Sequence, residues 1–427
     1  MACSTAVSPR RRLAWLMRSH AAGLAGGGDA AMLLAVGALL MLFPLSETVV
    51  AVINRLISES ARPLHRPRLA LAGGIPPEHR VLVVVPALLT DAAAIAMLAR
   101  RLLLHHLANP EPHAQFALLS DGIDADTEVL PGDADLLASA VEQIRLLNAS
   151  HPPTDGSPPR FILLHRERSF SESEQCWIGW ERKRGKLELL VAALASGDAS
   201  AFLDLGEASR IVPGTPYIVT LDSDTQLPPG RLRDLVGVAA HPHNQPRLSA
   251  DGRRVVGGYG ILQPRIVTPL PARGEVTGFH WLFSGQCGID PYSAATSEIY
   301  QDVFGEGSFT GKGLLNVRAV NAVLGGRLPE GRVLSHDLLE GSLARCAAVT
   351  DITVIEEAPV HADVAASRVH RWTRGDWQLL PFLFQLRRFP MKGVNRWKLA
   401  DNLRRSLVAP MSLGLLLLAL GGAVVSP

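Results

Sequence analysis

Asp222-Ser223-Asp224 directly follows the apolar, β-branched run Tyr217 to Leu221, YIVTL. Two carboxylates at i and i+2 in a turn beyond a strand can share one hard divalent cation. Mg²⁺, or Mn²⁺ in its place, favours a few carboxylates plus substrate phosphate oxygens. Such an ion neutralises charge on a departing diphosphate. An ordinary turn or capping pair is the plain alternative; the buried strand in front of the triplet favours a site. Further on, Leu334 to Gly341 (LSHDLLEG) gathers His336, Asp337 and Glu340. A transfer that inverts a sugar's anomeric centre needs one carboxylate to deprotonate the attacking hydroxyl. Asp337 is the candidate, with Glu340, one helical turn later, as the rival. Metal binding by His336 lacks a matching ligand at useful spacing.

Three other runs carry cations, glycines or indoles. Trp180 to Lys186 (WERKRGK) places Arg184 and Lys186 at the expected start of a helix, where they and the helix N-terminus can hold a diphosphate. Gly185 permits close backbone approach. A solvated basic face is the usual meaning of an isolated charge run. Gly305 to Gly313 (GEGSFTGKG) is glycine-rich but fails the P-loop register, because Gly313 follows Lys312. It is either a loop approaching a sugar or donor, or a plain turn. Arg368 to Gln378 (RVHRWTRGDWQ) concentrates arginines with Trp372 and Trp377. Indole faces stack on sugars and Arg binds phosphate bidentately; an interfacial helix anchored by Trp has the same composition.

The elements that must position these residues alternate. Val81 to Val85 is a buried strand closed by Pro86, followed by a helix over 91–107; 115–119 is a second strand, ending at Ser120-Asp121-Gly122. A helix over 133–147, a strand over 161–164, a helix over 186–194 and the YIVTL strand follow. This pattern predicts an α/β fold with a mainly parallel sheet flanked by helices. Asp121, Asp222 and Asp224 then sit at carboxyl ends of strands, where such sheets bind ligands.

The chain has 427 residues, 47% of them apolar, and 42 basic against 40 acidic residues. That balance offers no global field for nucleic acid, so no nucleic-acid partner is expected. The four cysteines (Cys3, Cys176, Cys287, Cys346) are scattered and suit a reducing compartment, without a disulfide or zinc framework. Leu407 to Val425 carries no charge and is long enough for a membrane helix. Ala30 to Ile57 is apolar but interrupted at Pro44, Ser46, Glu47 and Thr48, which suits a kinked span or an interfacial hairpin. Basic residues tie around the first segment, but Lys392, Arg396, Lys398, Arg404 and Arg405 all precede the second. The positive-inside rule therefore places the middle of the chain in the cytoplasm. An end two residues past an apolar run is expected of a truncated chain.

The series WERKRGKLE, TLDSDTQLP, FGEGSFTGKG, LSHDLLEG and RVHRWTRGDWQLLP, with GIDPYSAATSEIYQDVFGEGSF and the opening VLVVVPALLTD, resembles the glycosyltransferase module of cyclic β-1,2-glucan synthases. The resemblance covers roughly 55–427. More distantly the layout is similar to processive family 2 transferases such as cellulose and hyaluronan synthases. It implies a GT-A fold, a UDP-glucose donor, a divalent metal, a growing glucan acceptor and inversion to β linkages. By this resemblance Asp121 contacts the uridine, with Pro86 among the donor contacts; Asp222 and Asp224 hold metal and diphosphate; Asp337 is the base. Arg371 and Trp372 match the RW of a QxxRW motif near donor phosphate and acceptor sugar, and Gly311 joins Trp372 on the acceptor side. Arg368 stands at the Gln position, and the base motif is HD where cellulose synthases have ED.

The expected organisation is a basic segment (1–29), a membrane segment (30–58), a GT-A domain (78–380), an interfacial helical segment (381–405) and a transmembrane helix (407–425). The whole would be a multi-pass protein of a bacterial-type inner membrane, in contact with the lipid bilayer. A truncated, non-catalytic nucleotide-sugar-binding module and a synthase of another β-glycan are the alternatives. Full-length family members carry further membrane helices and a phosphorylase-like region that do not fit in this chain, so it is expected to be a fragment.

Overall fold

The computed structural model describes residues 27–153, 157–269, 276–283, 298–333, 336–359 and 361–421. Outside them lie most of the basic segment 1–29, the quoted run 288–297, Cys3, Cys287, Leu334, Ser335 and the last residues of the expected span 407–425. Contacts divide the chain into two compact units, one of 61–398 and one formed by the two terminal stretches.

In chain order the elements are α1 (Gly27–Ser60), β1 (Val81–Leu89), α2 (Ala92–Ala108), β2 (Ala114–Gly122), α3 (Asp133–Ser150), β3 (Phe161–Arg166), the hairpin β4 (Ser169–Ser171) and β5 (Cys176–Ile178), and α4 (Arg182–Ser196). They continue with β6 (Tyr217–Thr220), β7 (Thr225–Gln226), α5 (Arg231–Ala240), β8 (Arg247–Leu248), β9 (Val255–Gly257), β10 (Ile261–Val267), α6 (Gly278–Phe283) and α7 (Ile299–Phe304). Last come β11 (Gly313–Asn316), α8 (Val317–Leu324), α9 (Asp337–Ala344), β12 (Cys346–Glu356), α10 (Ala362–Gln378) and α11 (Gly393–Leu420).

An eight-stranded sheet in the order β3-β2-β1-β6-β11-β10-β12-β7 organises the unit of 61–398. β1, β2, β3 and β6 run parallel, as do β10 and β12. β11 lies antiparallel between β6 and β10, and the short β7 is antiparallel to β12. The architecture is therefore the mainly parallel α/β sheet flanked by helices expected from the alternation. Central strands such as Val81–Val85 and Phe116–Leu119 are buried on both faces, which is why they are continuous apolar runs. α2 starts at the Asp91 cap, whose carboxylate accepts from Ala94 N at 2.9 Å, and packs on β1 and β2.

Several boundaries differ from expectation, and three of them bear on the site. β1 does not stop at Pro86 but continues to Leu89. β6 pairs with β1 only as far as Val84, so beyond that point one side of β1 is an edge where a missing N–H costs no ladder bond. β2 extends through Asp121 to Gly122, pairing with both β1 and β3. α4 begins at Arg182, so Lys186 lies in its second turn. Composition alone could not show this, because the helix opens with charged residues and not with an apolar stripe.

In the terminal unit α1 is one continuous helix with Pro44 inside it, which replaces the hairpin alternative. Both 31–60 of α1 and α11 are long and apolar enough to cross a membrane. α11 already starts at Gly393, so the expected interfacial and transmembrane segments share one helix from there on. Arg404 donates to Glu47 at 2.7 Å and to Ser46 at 3.0 Å, fastening α11 to α1.

Burial pulls the imidazoles of His105, His106 and His165 down to about 4. All three are neutral in the folded state, whereas the unfolded chain protonates them near 6.5. Stability contributed by these groups is complete above that value and falls as pH drops from 6.5 towards 4. Unfolding at pH 5 to 6 is expected to take up between about two and three protons per chain through these groups, a slope of about 1.4 kcal/mol per proton per pH unit. Denaturant titrations of the detergent-solubilised chain across this window check it; a flat stability there rejects it.

Candidate active site

β6 ends in the turn Asp222-Ser223-Asp224, closed by Thr225: its N–H donates to Asp222 O at 3.0 Å and its hydroxyl accepts from Asp222 N at 3.3 Å. β12 reaches the same place from the other side of the sheet. Its last residue, Glu356, pairs with Thr225 of β7. Oxygens of Asp222, Asp224 and Glu356 consequently lie within 4.8 Å of one another. Three hard oxygen donors so close fit Mg²⁺ or Mn²⁺, which needs few protein ligands when phosphate supplies the rest.

Three cations converge on these acids. Lys312 Nζ lies 2.6 Å from Glu356 Oε2 and 3.0 Å from Asp222 Oδ2. Lys183, from the first turn of α4, pairs with the other Asp222 oxygen and donates to Gly311 O at 3.1 Å. Arg368, from α10, stands 3.6 Å from Glu356 and 4.0 Å from Asp224. Burial alone would raise the Asp222 carboxyl, but the two ammoniums overrule it and hold the group below the usual range. Lys312 is also desolvated, yet Asp222 and Glu356 hold its pKa up. Asp222 and Lys312 thus hold each other in their charged forms.

The glycine-rich loop builds the opposite wall. Glu306 anchors it, buried and accepting from Arg345 at 2.9 Å, Asn395 at 3.1 Å and Lys392. Lys398 donates to the carbonyls of Glu306 (3.0 Å) and Gly307 (2.8 Å). Thr310 is tied through N and Oγ1 to Gln263 Oε1 at 2.9 and 3.1 Å. Gly311 follows with φ +83°, and a Cβ there would lie 2.8 Å from Asp337 Oδ2. Asp337, the first residue of α9, is therefore brought against the loop whose next residue, Lys312, holds Asp222 and Glu356. Its side chain keeps 31% exposure, so a substrate can reach it. Partial burial pushes its carboxyl above the usual range, against the pull of His336 and Lys183.

Other expected site residues lie elsewhere. Asp121 is 1% exposed and both its oxygens are held by Arg166 at 2.8 Å. Lys186 sits 2.9 Å from Asp121 and donates to Ala87 O at 2.9 Å. Its ammonium is enclosed, and burial lowers its pKa. Arg184 is buried between Glu181 (2.6 Å) and Glu188 (3.0 Å). Neither cation stands among the cluster's acids; Lys183 does, because Lys186 is one turn deeper and faces the sheet. Gly185 approaches the Trp180 carbonyl, not a ligand: a Cβ there would be 2.0 Å from it. Pro86 is half-buried in β1 opposite Leu119. Arg371 is exposed on α10, and Trp372, 38% exposed, lies with its ring 5.7 Å from the Arg368 guanidinium.

Lys183, Lys312 and Glu356 were missed as site residues. The first two stand inside the singled-out motifs, but sequence gives no way to choose among adjacent cations. Glu356 ends a β-branched stretch, and an acid at a strand's carboxyl end was the available signal.

No family model matches the chain. It is 45% identical over 374 residues to the cyclic β-(1,2)-glucan synthase NdvB of Rhizobium meliloti (strain 1021), a match covering 87% of this chain. The chain is a homologue of one stretch of that synthase. It spans 13% of the relative's length. Among solved structures, glucosyl-3-phosphoglycerate synthase from Mycobacterium tuberculosis, with Mg²⁺ and UDP, is 11% identical, covers 78% of this chain and 88% of its own, and has a TM-score of 0.32. The galactosyltransferase LgtC, with donor and acceptor sugar analogues, is 12% identical, covers 68% and 94%, and has a TM-score of 0.28. At these scores neither likeness bears on the site.

Glu356→Gln is expected to weaken Mn²⁺ binding in the presence of UDP by about tenfold or more, as loss of one ligand from a small carboxylate set should. Electron paramagnetic resonance of free Mn²⁺ reads this directly, and an unchanged affinity removes Glu356 from the ligand set. Gly311→Ala must strain a left-handed residue and displace Asp337, costing about 1 kcal/mol or more. A parent-like melting midpoint would contradict the close approach.

Proposed function

We propose that this chain is an inverting glucosyltransferase that takes glucose from UDP-glucose and extends a β-glucan, β-1,2-linked as in its relative. The observation that carries the reading is the position of Asp337 across Gly311 from the Asp222, Asp224 and Glu356 cluster. One wall offers oxygens for a cation and ammoniums for a diphosphate; the other offers a carboxylate open to a hydroxyl.

A divalent ion held by Asp222, Asp224 and Glu356 would screen the charge that develops on the departing diphosphate. Lys183 and Lys312 move from carboxylate to phosphate oxygens as that charge grows, stabilising the leaving group most when the bond to it is longest. Asp337 accepts the proton of the acceptor hydroxyl as its oxygen bonds the anomeric carbon from the face opposite the phosphate. The bond between that carbon and the phosphate oxygen breaks, and UDP carries away the electron pair. Inversion follows from attack and departure on opposite faces. Trp372 and Arg371, exposed on α10, are assigned to the sugar chain and the donor phosphate. Asp121 reaches a uridine only by giving up part of its bidentate pair with Arg166, so its role in this reading is to set the floor of the nucleotide site.

The two apolar helices are assigned to a bacterial-type inner membrane, with the basic residues before the second span keeping 61–398 on the cytoplasmic side. Membranes carrying the chain should incorporate labelled glucose from UDP-glucose when Mg²⁺ or Mn²⁺ is supplied. Asp337→Asn and Asp224→Asn are each expected to lower incorporation by about 10² to 10⁴. Binding of UDP without incorporation by the parent chain would instead identify a non-catalytic nucleotide-sugar module, and a product of another linkage would reassign the glycan.

A further inference from the structure

The stretch from His336 to Glu340 places one base and two acids on adjacent turns. His336 Nδ1 lies 3.0 Å from Glu340 Oε1 and 3.5 Å from Asp337 Oδ1. The imidazole is buried, and it packs between two carboxylates that α9 itself brings to one face. Asp337, Glu340, His336, Gly311, Glu188 and Phe309 share a cavity of about 30 Å³, room enough for a water molecule or a hydroxyl group.

These groups sit in a demanding electrostatic setting. Asp337 faces Glu340 on its own helix and Asp222 from the β6 turn, both of the same sign, while Lys183 from α4 faces it with the opposite sign. Lys183, however, is already committed to Asp222 and Gly311, and in the transfer it turns to phosphate. His336 is the other cation within reach. It is faced by Glu340 and Asp337 and, from α4, by Arg184, which is itself neutralised by Glu181 and Glu188. The two acids raise the imidazole's basicity although burial opposes this, and Glu340 is held below the usual range by His336 although burial acts the other way. His336 and Glu340 thus form a buried ion pair, and the imidazolium end of that pair is turned to the base.

We propose that His336, locked by Glu340, is a positioning residue that keeps Asp337 ionised and ready to take the acceptor's proton. This rests on the transferase reading above and assigns a role that reading does not need. The role also decides between the two acids of the motif. Glu340 is consumed by the imidazole, whereas Asp337 retains an open oxygen beside Gly311. A protonated Asp337 can accept nothing, so loss of the neighbouring cation must show as a change in pH dependence and not only as a lower rate.

The test is the pH profile of glucose incorporation by membranes carrying the full chain, with UDP binding in the presence of Mg²⁺ measured on the same preparations. In His336→Gln the acid limb of the profile should move up by about one pH unit, so that incorporation on that limb is about tenfold below the parent's, with the rate at higher pH recovering. His336→Lys, which restores a cation, should return the limb to the parent's position or below it. An unmoved limb in His336→Gln overturns the proposal, as does loss of incorporation in both variants while UDP binding is retained. Failure of the parent chain to transfer glucose at all removes the transferase reading, and with it this role; an active parent with an unshifted His336→Gln removes the role alone.

Discussion

Asp222 and Glu356 are like charges delivered to one spot by strands that enter it from different sides of the sheet. At the separation of their oxygens, with an effective dielectric near 20, two unit charges repel by about 3–4 kcal/mol. Lys312 lies between them and reverses the sign of that interaction. The position of Lys312 is therefore a condition for the whole site, and the loop that carries it is tied down at several points. Glu306, Thr310, Gly311 and Lys312 are each fixed to a different element, by bonds to Arg345 and Asn395, to Gln263, to Lys183, and to the acids.

That arrangement explains why the motif is rich in glycine without being a phosphate-binding loop of the P-loop kind. Gly311 is needed because the backbone turns left-handed and passes against Asp337. Its carbonyl accepts from Lys183, so Asp337, the loop and Asp222 are linked through one residue. Charge compensation here is local and reciprocal: three acids meet three cations, and a second small group of His336, Asp337 and Glu340 lies across the loop from them. A divalent ion and a diphosphate bring opposite charges of similar size, so they can replace these pairings without leaving a buried charge unpartnered.

The buried group of Asp121, Arg166 and Lys186 serves a different purpose. It joins β2, β3 and α4, with Lys186 also donating to the carbonyl of Ala87 in β1. Removing Asp121 would leave two buried cations without their shared carboxylate, which is costly inside a protein. Its effect on the site is rigidity of the strand ends and of the first turn of α4, where Lys183 emerges.

Sequence by itself determined the elements and named several residues of the candidate site. Continuous apolar runs bounded by turn residues are read locally, so the α/β order, both apolar helices and the acids beyond YIVTL were legible before any coordinates. So was Asp337, because a carboxylate one turn from a second acid is a short-range pattern. Tertiary structure alone decided which neighbours in a charged run matter. Arg182, Lys183, Arg184 and Lys186 are adjacent in sequence, but α4 begins at Arg182 and turns Lys186 to the sheet and Lys183 to the acids. Lys312 and Glu356 came to Asp222 only through the pairings of Gly313 with Thr220 and of Glu356 with Thr225, between strands distant in sequence, and no local pattern specifies those.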